Sequence, residues 1–285
     1  MIFSNIYRAR KVGLKIMTYV VLVAILIFAF FPIFWMLSTS FKPNHLAFSI
    51  PPKWVPKPFI LDSYKKQITD RGGFVVFFKN GVIVSLSVTI LTVIVAIFSG
   101  YSFSRFRFKG QKTIFLLILA TQMFPYVLIV ISLYVMFRNL GLLNTYPGLI
   151  LSLTTLSLPF SIWMMKGFCD TVPKEVEEAA LVDGSSKIGI LIRIVIPMIL
   201  PGMIAVALFS FLVAWNNLLF SLTLSLRNDM LTIPPGFLMT YVGEFQYRWS
   251  DMCAGSVLVS VPVIVIFIFF QKYLVAGLTA GSVKG

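Results

Sequence analysis

Apolar residues fall into six long runs, near positions 12–37, 80–101, 113–137, 146–168, 197–222 and 252–275, with polar stretches between them. A helix needs roughly 20 apolar residues to cross a bilayer core, and each run meets that length. No Asp or Glu lies inside any of the six. The pattern predicts an all-α, polytopic membrane protein: six transmembrane helices in a single domain over residues 1–285. The first run is too long for the apolar core of a secretory signal, and no small-x-small site follows it, so it reads as an uncleaved anchor.

Composition agrees. Hydrophobic residues make up 58% of the chain and charged residues 12%, with a mean hydropathy of +0.93. That leaves too few polar residues to cover a soluble globule, which argues against a soluble enzyme, a coiled coil or disorder. The net charge of +14 would suggest nucleic acid in a soluble chain. Here the basic residues flank apolar runs, where they orient the chain and touch anionic membrane lipid; no nucleic-acid partner is expected. An N-terminus on the cytoplasmic side puts 14 of the 24 basic residues inside. Seven of the rest sit in the long Pro-rich segment 42–79, and long loops cross with less regard to charge. The expected topology is N-in, C-in. One histidine and two cysteines, Cys169 and Cys253, near opposite membrane faces on that topology, point to neither a metal site nor a disulfide.

Several chemistries are missing. Ion-coupled carriers keep a carboxylate within the membrane, and none is present. There is no His-Glu-x-x-His and no phosphate-cradling loop; the nearest fragment, Gly110-Gln-Lys-Thr113, has the wrong spacing. No catalytic residue, cofactor or ATPase site is expected, so any pumping draws its energy from another chain.

The connection 169–196, expected inside, holds half of the acidic residues: Asp170, Glu175, Glu177, Glu178 and Asp183. Pro173 suits a first helical turn. Glu175, Glu177 and Glu178 suit a positive helix start. Gly184 suits the left-handed position that ends a helix, and Ser185 or Ser186 can cap the next one. Two short helices should meet at a glycine elbow, with Ala179 and Ala180 exposed and small enough for another backbone to approach. A surface hairpin with a solvated acidic face fits the same residues.

Gln122, Asn216 and Asn217 are amides within apolar runs. An unpartnered amide in hydrocarbon is costly, so these side chains should face protein or water. Ser210, Ala214, Asn217 and Ser221 share one helical face of the fifth run, as Ser85, Thr89, Thr92, Ala96 and Ser99 do in the second. Such residues serve close helix packing as readily as a solute path. The stretch 225–251, expected outside, is polar and aromatic, with Tyr241, Phe245, Tyr247 and Trp249. Interfacial anchoring and a contact surface are both open for it.

Glu178-Ala179-Ala180, then Gly184, then nine residues, then Ile194-Val-Ile-Pro197 resembles the EAA signature of importer-type ABC permeases. Ile196 stands where Leu is common. Gly141-Leu-Leu-Asn-Thr-Tyr-Pro-Gly-Leu-Ile150, Trp215-Asn216 and the ending Gly277-Leu-Thr-Ala-Gly-Ser-Val-Lys-Gly285 are similar to the MalG-like branch that serves carbohydrate importers. That branch often has an acid where this chain has Asn217. The resemblance covers about residue 101 to the end.

The resemblance implies a type I ABC importer permease-like fold in a bacterial or archaeal plasma (inner) membrane. It implies a permease forming half of a carbohydrate path beside a second, homologous permease subunit. Glu178, Ala179, Ala180, Asp183, Gly184, Ile194 and Pro197 would couple it to two cytoplasmic ATPase subunits. Tyr241, Phe245 and Tyr247 would meet an extracytoplasmic solute-binding protein. Gln122, Ser210, Asn216, Asn217 and Ser221 are the path candidates. The alternatives are the same machine for a non-sugar solute, and a self-sufficient channel or facilitator.

Overall fold

The computed structural model describes residues 2–69, 73–242 and 248–282, with side chains at 11, 13–69, 73–242 and 248–273. Thirteen α-helices are present among them, and no strands. In chain order these are α1 (Ile2–Ser40), α2 (Asp62–Thr69), α3 (Phe74–Arg105), α4 (Gln111–Ala120), α5 (Tyr126–Asn139) and α6 (Tyr146–Asp170). There follow α7 (Lys174–Val182), α8 (Lys187–Ile190), α9 (Ile196–Met198), α10 (Leu200–Trp215), α11 (Leu219–Leu224), α12 (Ile233–Tyr241) and α13 (Trp249–Ser282).

Among the described residues, four helices are long and apolar enough to cross a membrane: Gly13–Ser40, Phe74–Arg105, Tyr146–Asp170 and Trp249–Tyr273. Two bent helix pairs bring the number to six if each pair is one span. Gln111–Met123 meets Tyr126–Asn139 at 98°. The cause is Pro125, which pushes Phe124 out of the helical region, to φ −77 and ψ 135. Lys187–Met198 meets Leu200–Trp215 at 80°. Pro201 lies in the first turn after this break, and a π-helical turn over Leu191–Val195 precedes it. The fifth apolar run is therefore not one helix from 197 to 222. Its helix stops at Trp215 and a short one resumes at Leu219.

The chain divides into two compact units, 1–69 with 243–258, and 70–242 with 259–285. In the first, Asp251 at the start of α13 gathers the polar contacts. It accepts from Ser63 Oγ at 2.9 Å, Lys66 Nζ at 3.2 Å and Arg248 Nε at 3.0 Å. Asn44 Oδ1 accepts from the backbone N–H groups of Ser250 and Asp251 and so caps α13. Lys42 is buried with its ammonium 4.4 Å from the Trp35 ring centroid. Burial holds its pKa below the usual lysine range, although the charge field of Cys253 raises it. No side chain in the apolar window of α1 is buried, as suits a helix facing lipid.

In the second unit α3, α6 and α10 pack together. Gly100 lets α3 and α6 approach: a Cβ there would lie 2.8 Å from the backbone N of Lys166 and 2.9 Å from Met165 Cβ. Thr92 and Ser157 share a hydrogen bond of 2.9 Å across the same interface. Ser85, Thr92 and Ala96 are buried, which gives the small-residue face of the second run to packing.

Candidate functional site

The connection after α6 is the helical hairpin its residues suggest. α7 starts directly after Pro173, with Glu175 and Glu177 in its first turn. It ends in a closed glycine motif: Ser185 N–H donates to Ala180 O at 2.9 Å and Gly184 N–H to Leu181 O at 3.0 Å. Gly184 has φ +85. Ser186, of the two serines, caps α8, its Oγ accepting from Gly189 N at 3.1 Å.

The inner side of α7 is anchored through a residue that sequence reading left among the acidic surface. Glu177 is buried, and Arg105 Nε lies 2.6 Å from its Oε1. Tyr101 Oη donates to its Oε2 at 2.8 Å. Arg105 also donates to Val172 O at 2.8 Å, just ahead of α7. Beside it, Ser104 Oγ and Lys166 Nζ each reach Asp170 at 2.6 Å. The last turn of α3 thus grips both the end of α6 and the first turn of α7. The signal was present as Tyr101 and Arg105 four apart at one helix end, with Glu177 three residues before Ala180 on one face of α7.

One expectation is corrected. Ala179 is exposed, but Ala180 is 9% exposed and packs in a cluster with Val172, Ile190, Leu191 and Val195. The glycine motif folds α8 back over that side of α7. The exposed side carries Val176, Glu178, Ala179, Leu181 and Val182, the last 88% exposed. Asp183 caps α7 and is exposed, Ile194 packs against the cluster, and Pro197 opens α9 at the surface.

The path candidates separate. Gln122 lines a groove of about 280 Å³ with Thr121, Tyr126, Ser152, Thr155 and Pro159. Its Nε2 donates to Leu156 O at 3.2 Å and its Oε1 accepts from Tyr126 Oη at 3.1 Å. Asn216 and Asn217 are not inside a span helix but at the break after α10. Asn216 Nδ2 donates back to Leu212 O at 3.1 Å, and Asn217 Oδ1 accepts from Phe220 N at 2.9 Å, capping α11. Ser210 turns its hydroxyl onto the carbonyls of Val206 and Ala207. Ser221 is buried, and its hydroxyl has no hydrogen-bond partner among the described residues.

Beyond the break, a clamp explains the motif 141–150. Asn144 has φ 56 and its Oδ1 accepts from Leu226 N at 2.6 Å and Arg227 N at 3.0 Å. Buried Asn80 donates to the carbonyls of Asp229 and Leu231, both at 2.9 Å, and accepts from Tyr146 Oη at 2.7 Å. Within the polar, aromatic stretch 225–251, Ile233–Tyr241 forms α12, with Pro234 and Pro235 in its first turn. Tyr241 ends that helix, 7% exposed and 5.3 Å from the Phe237 ring, so it is not an open contact residue. Phe245 and Tyr247 lie outside the described residues.

Known proteins agree with this architecture. Residues 92–280 match the family described as binding-protein-dependent transport system inner membrane component. The inner membrane ABC transporter permease protein YcjP of Escherichia coli K12 is 35% identical over 91% of this chain and 93% of its own. The trehalose/maltose transport system permease protein MalG of Thermococcus litoralis is 31% identical over 91% of this chain and 93% of its own. A crystal structure of a bacterial ABC transporter that imports alginate has the same fold, with TM-score 0.77 at 20% identity over 91% of this chain and 95% of that one. The chain belongs to the family of inner membrane components of binding-protein-dependent transport systems. It is a multi-pass membrane permease subunit.

Proposed function

We propose that this chain is one permease of an ABC importer for a carbohydrate, with its N- and C-termini in the cytoplasm. It lines half of the path beside a second, homologous permease and takes its solute from an extracytoplasmic binding protein. It has no ATPase site of its own. Of the two ATPase subunits in the assembly, one meets the exposed side of α7, around Glu178, Ala179 and Val182.

The observation that carries this reading is the two-sided build of α7. Its inner side is tied by Glu177 to Arg105 on α3, while its outer side is open and presents Val176, Ala179, Leu181 and Val182 beside the charge of Glu178. A push on the outer side reaches α3 and α6 through a buried charge pair rather than through a slack loop. That is a two-state element biased by a partner. The carbohydrate class is supported by the branch motifs and by relatives of trehalose and maltose systems. Neutral groups such as Gln122 and the hydroxyls near it in the groove suit a sugar's hydroxyls.

The test is uptake of labelled trehalose, maltose and maltodextrin in a host lacking its own importers for them. The chain is expressed with the genes beside it, and each is deleted in turn. Uptake that needs an ATPase gene and a binding-protein gene is expected. Uptake by this chain alone would make it a facilitator.

A further inference from the structure

The ends of α3 and α6 and the starts of α4 and α7 surround a concavity of about 430 Å³. Gln111 Nε2 donates to Phe103 O at 2.7 Å and closes the turn from α3 into α4. The rings of Phe103 and Phe115 lie 5.2 Å apart on its wall. That wall continues into α4, where Ile114, Leu116 and Leu117 are exposed.

The concavity is rich in cations. Arg105 and Lys166 line it, but Glu177 and Asp170 balance their charges. Arg107, Lys112 and Lys174 line it as well, and no ion pair among the described residues involves them. Three unbalanced like charges around one hollow repel each other, and an anion within it removes that cost. α4 begins at the same place, with Gly110 at φ 81 and no side-chain cap on its first turn. The uncapped N–H groups and the positive end of the helix dipole add to the field there.

The position is also specific. These are the ends of membrane-crossing helices, at the depth where headgroups lie. Polar hollow, aromatic wall and exposed apolar helix follow one another, as an amphiphile would need. Basic pockets between helices at this depth are suited to anionic headgroups.

We propose that this concavity is a phosphate site with Arg107, Lys112 and Lys174 as its ligands, occupied by the headgroup of an anionic phospholipid whose chains lie along Phe115 and the exposed side of α4. The site goes beyond the transport reading and does not depend on which solute is carried. The same chemistry would take a soluble phosphate ester, so the experiment separates the two sources.

The full-length chain, extracted with the subunits that copurify, is mixed in detergent with phosphatidylglycerol, phosphatidylcholine or glycerol 3-phosphate. Retained molecules are counted by native mass spectrometry. The wild type is expected to retain phosphatidylglycerol over phosphatidylcholine. Each lost cation should weaken retention about fivefold, so Arg107→Gln/Lys112→Gln/Lys174→Gln should lower it at least tenfold. The swap Arg107→Lys/Lys112→Arg/Lys174→Arg should keep it and guards against misfolding. Lys11→Gln/Lys15→Gln/Arg193→Gln, which removes the same charge elsewhere, should also keep it. Retention of glycerol 3-phosphate with the same sensitivity would keep the phosphate site but overturn the lipid as occupant. Equal phosphatidylglycerol retention by the first triple variant, or an equal loss in the charge-matched control, would overturn the site.

Discussion

Arg105 and Glu177 form a buried ion pair of 2.6 Å between the last turn of α3 and the first of α7, with both side chains 9% exposed. Breaking a buried pair by removing one partner leaves an uncompensated charge and costs about 3–5 kcal/mol. Glu177→Gln and Arg105→Gln, each alone, should abolish transport and raise the proteolytic sensitivity of the 171–187 segment. The double variant buries no unpaired charge and should recover part of the lost stability. A double-mutant cycle on thermal midpoints checks this; additivity of the two single effects would show that the pair is not coupled.

Gly184 should tolerate Asn better than Val. A Cβ at Gly184 would meet nothing within 4 Å, so the cost of substitution lies in the φ of +85 alone. Left-handed backbone costs roughly 1–2 kcal/mol for most residues and least for Asn or Asp. Gly184→Val should insert in the membrane normally yet transport poorly, with Gly184→Asn close to wild type. Uptake assays at matched membrane levels check the order.

Gly100 presents the opposite case. Its cost is steric, because a Cβ would sit 2.8 Å from the backbone of Lys166. Gly100→Ala should destabilise by about 1–3 kcal/mol through overpacking, read as a lower thermal midpoint of the purified chain.

Asn217 distinguishes a cap from a path residue. Its side-chain oxygen accepts from Phe220 N, a function Asp performs equally well. Asn217→Asp should retain stability and Asn217→Leu should lose about 1 kcal/mol, with no change in the solutes accepted. A change in solute preference with either variant would return Asn217 to the path.

Spans, the glycine elbow and the family motifs were legible because each depends on short-range pattern: apolar length, a turn residue, an ordered signature. What escaped depends on contacts far apart in the chain. Arg105 reads as one of several interfacial cations until Glu177, 72 residues on, is seen beside it. Ala180 reads as exposed until the glycine motif folds α8 over it. Asn216 and Asn217 read as span residues because composition does not show where a helix stops. Asn144 was visible only as one residue of the 141–150 motif and Asn80 only as the polar start of the second run; what each holds was not, since their partners lie 66 to 151 residues away.

Crosslinking from α7 tests the account most directly. Cys169 and Cys253 are replaced by Ala, single cysteines are placed at Ala179, Ala180 and Arg138, and a short bifunctional reagent is applied to the assembled complex. Ala179→Cys should crosslink strongly to a copurifying ATPase subunit. Ala180→Cys, facing inward, and Arg138→Cys, at the far end of α5, should not. An Ala179→Cys chain that transports normally yet never crosslinks to an ATPase would contradict the assignment of α7 as the coupling helix.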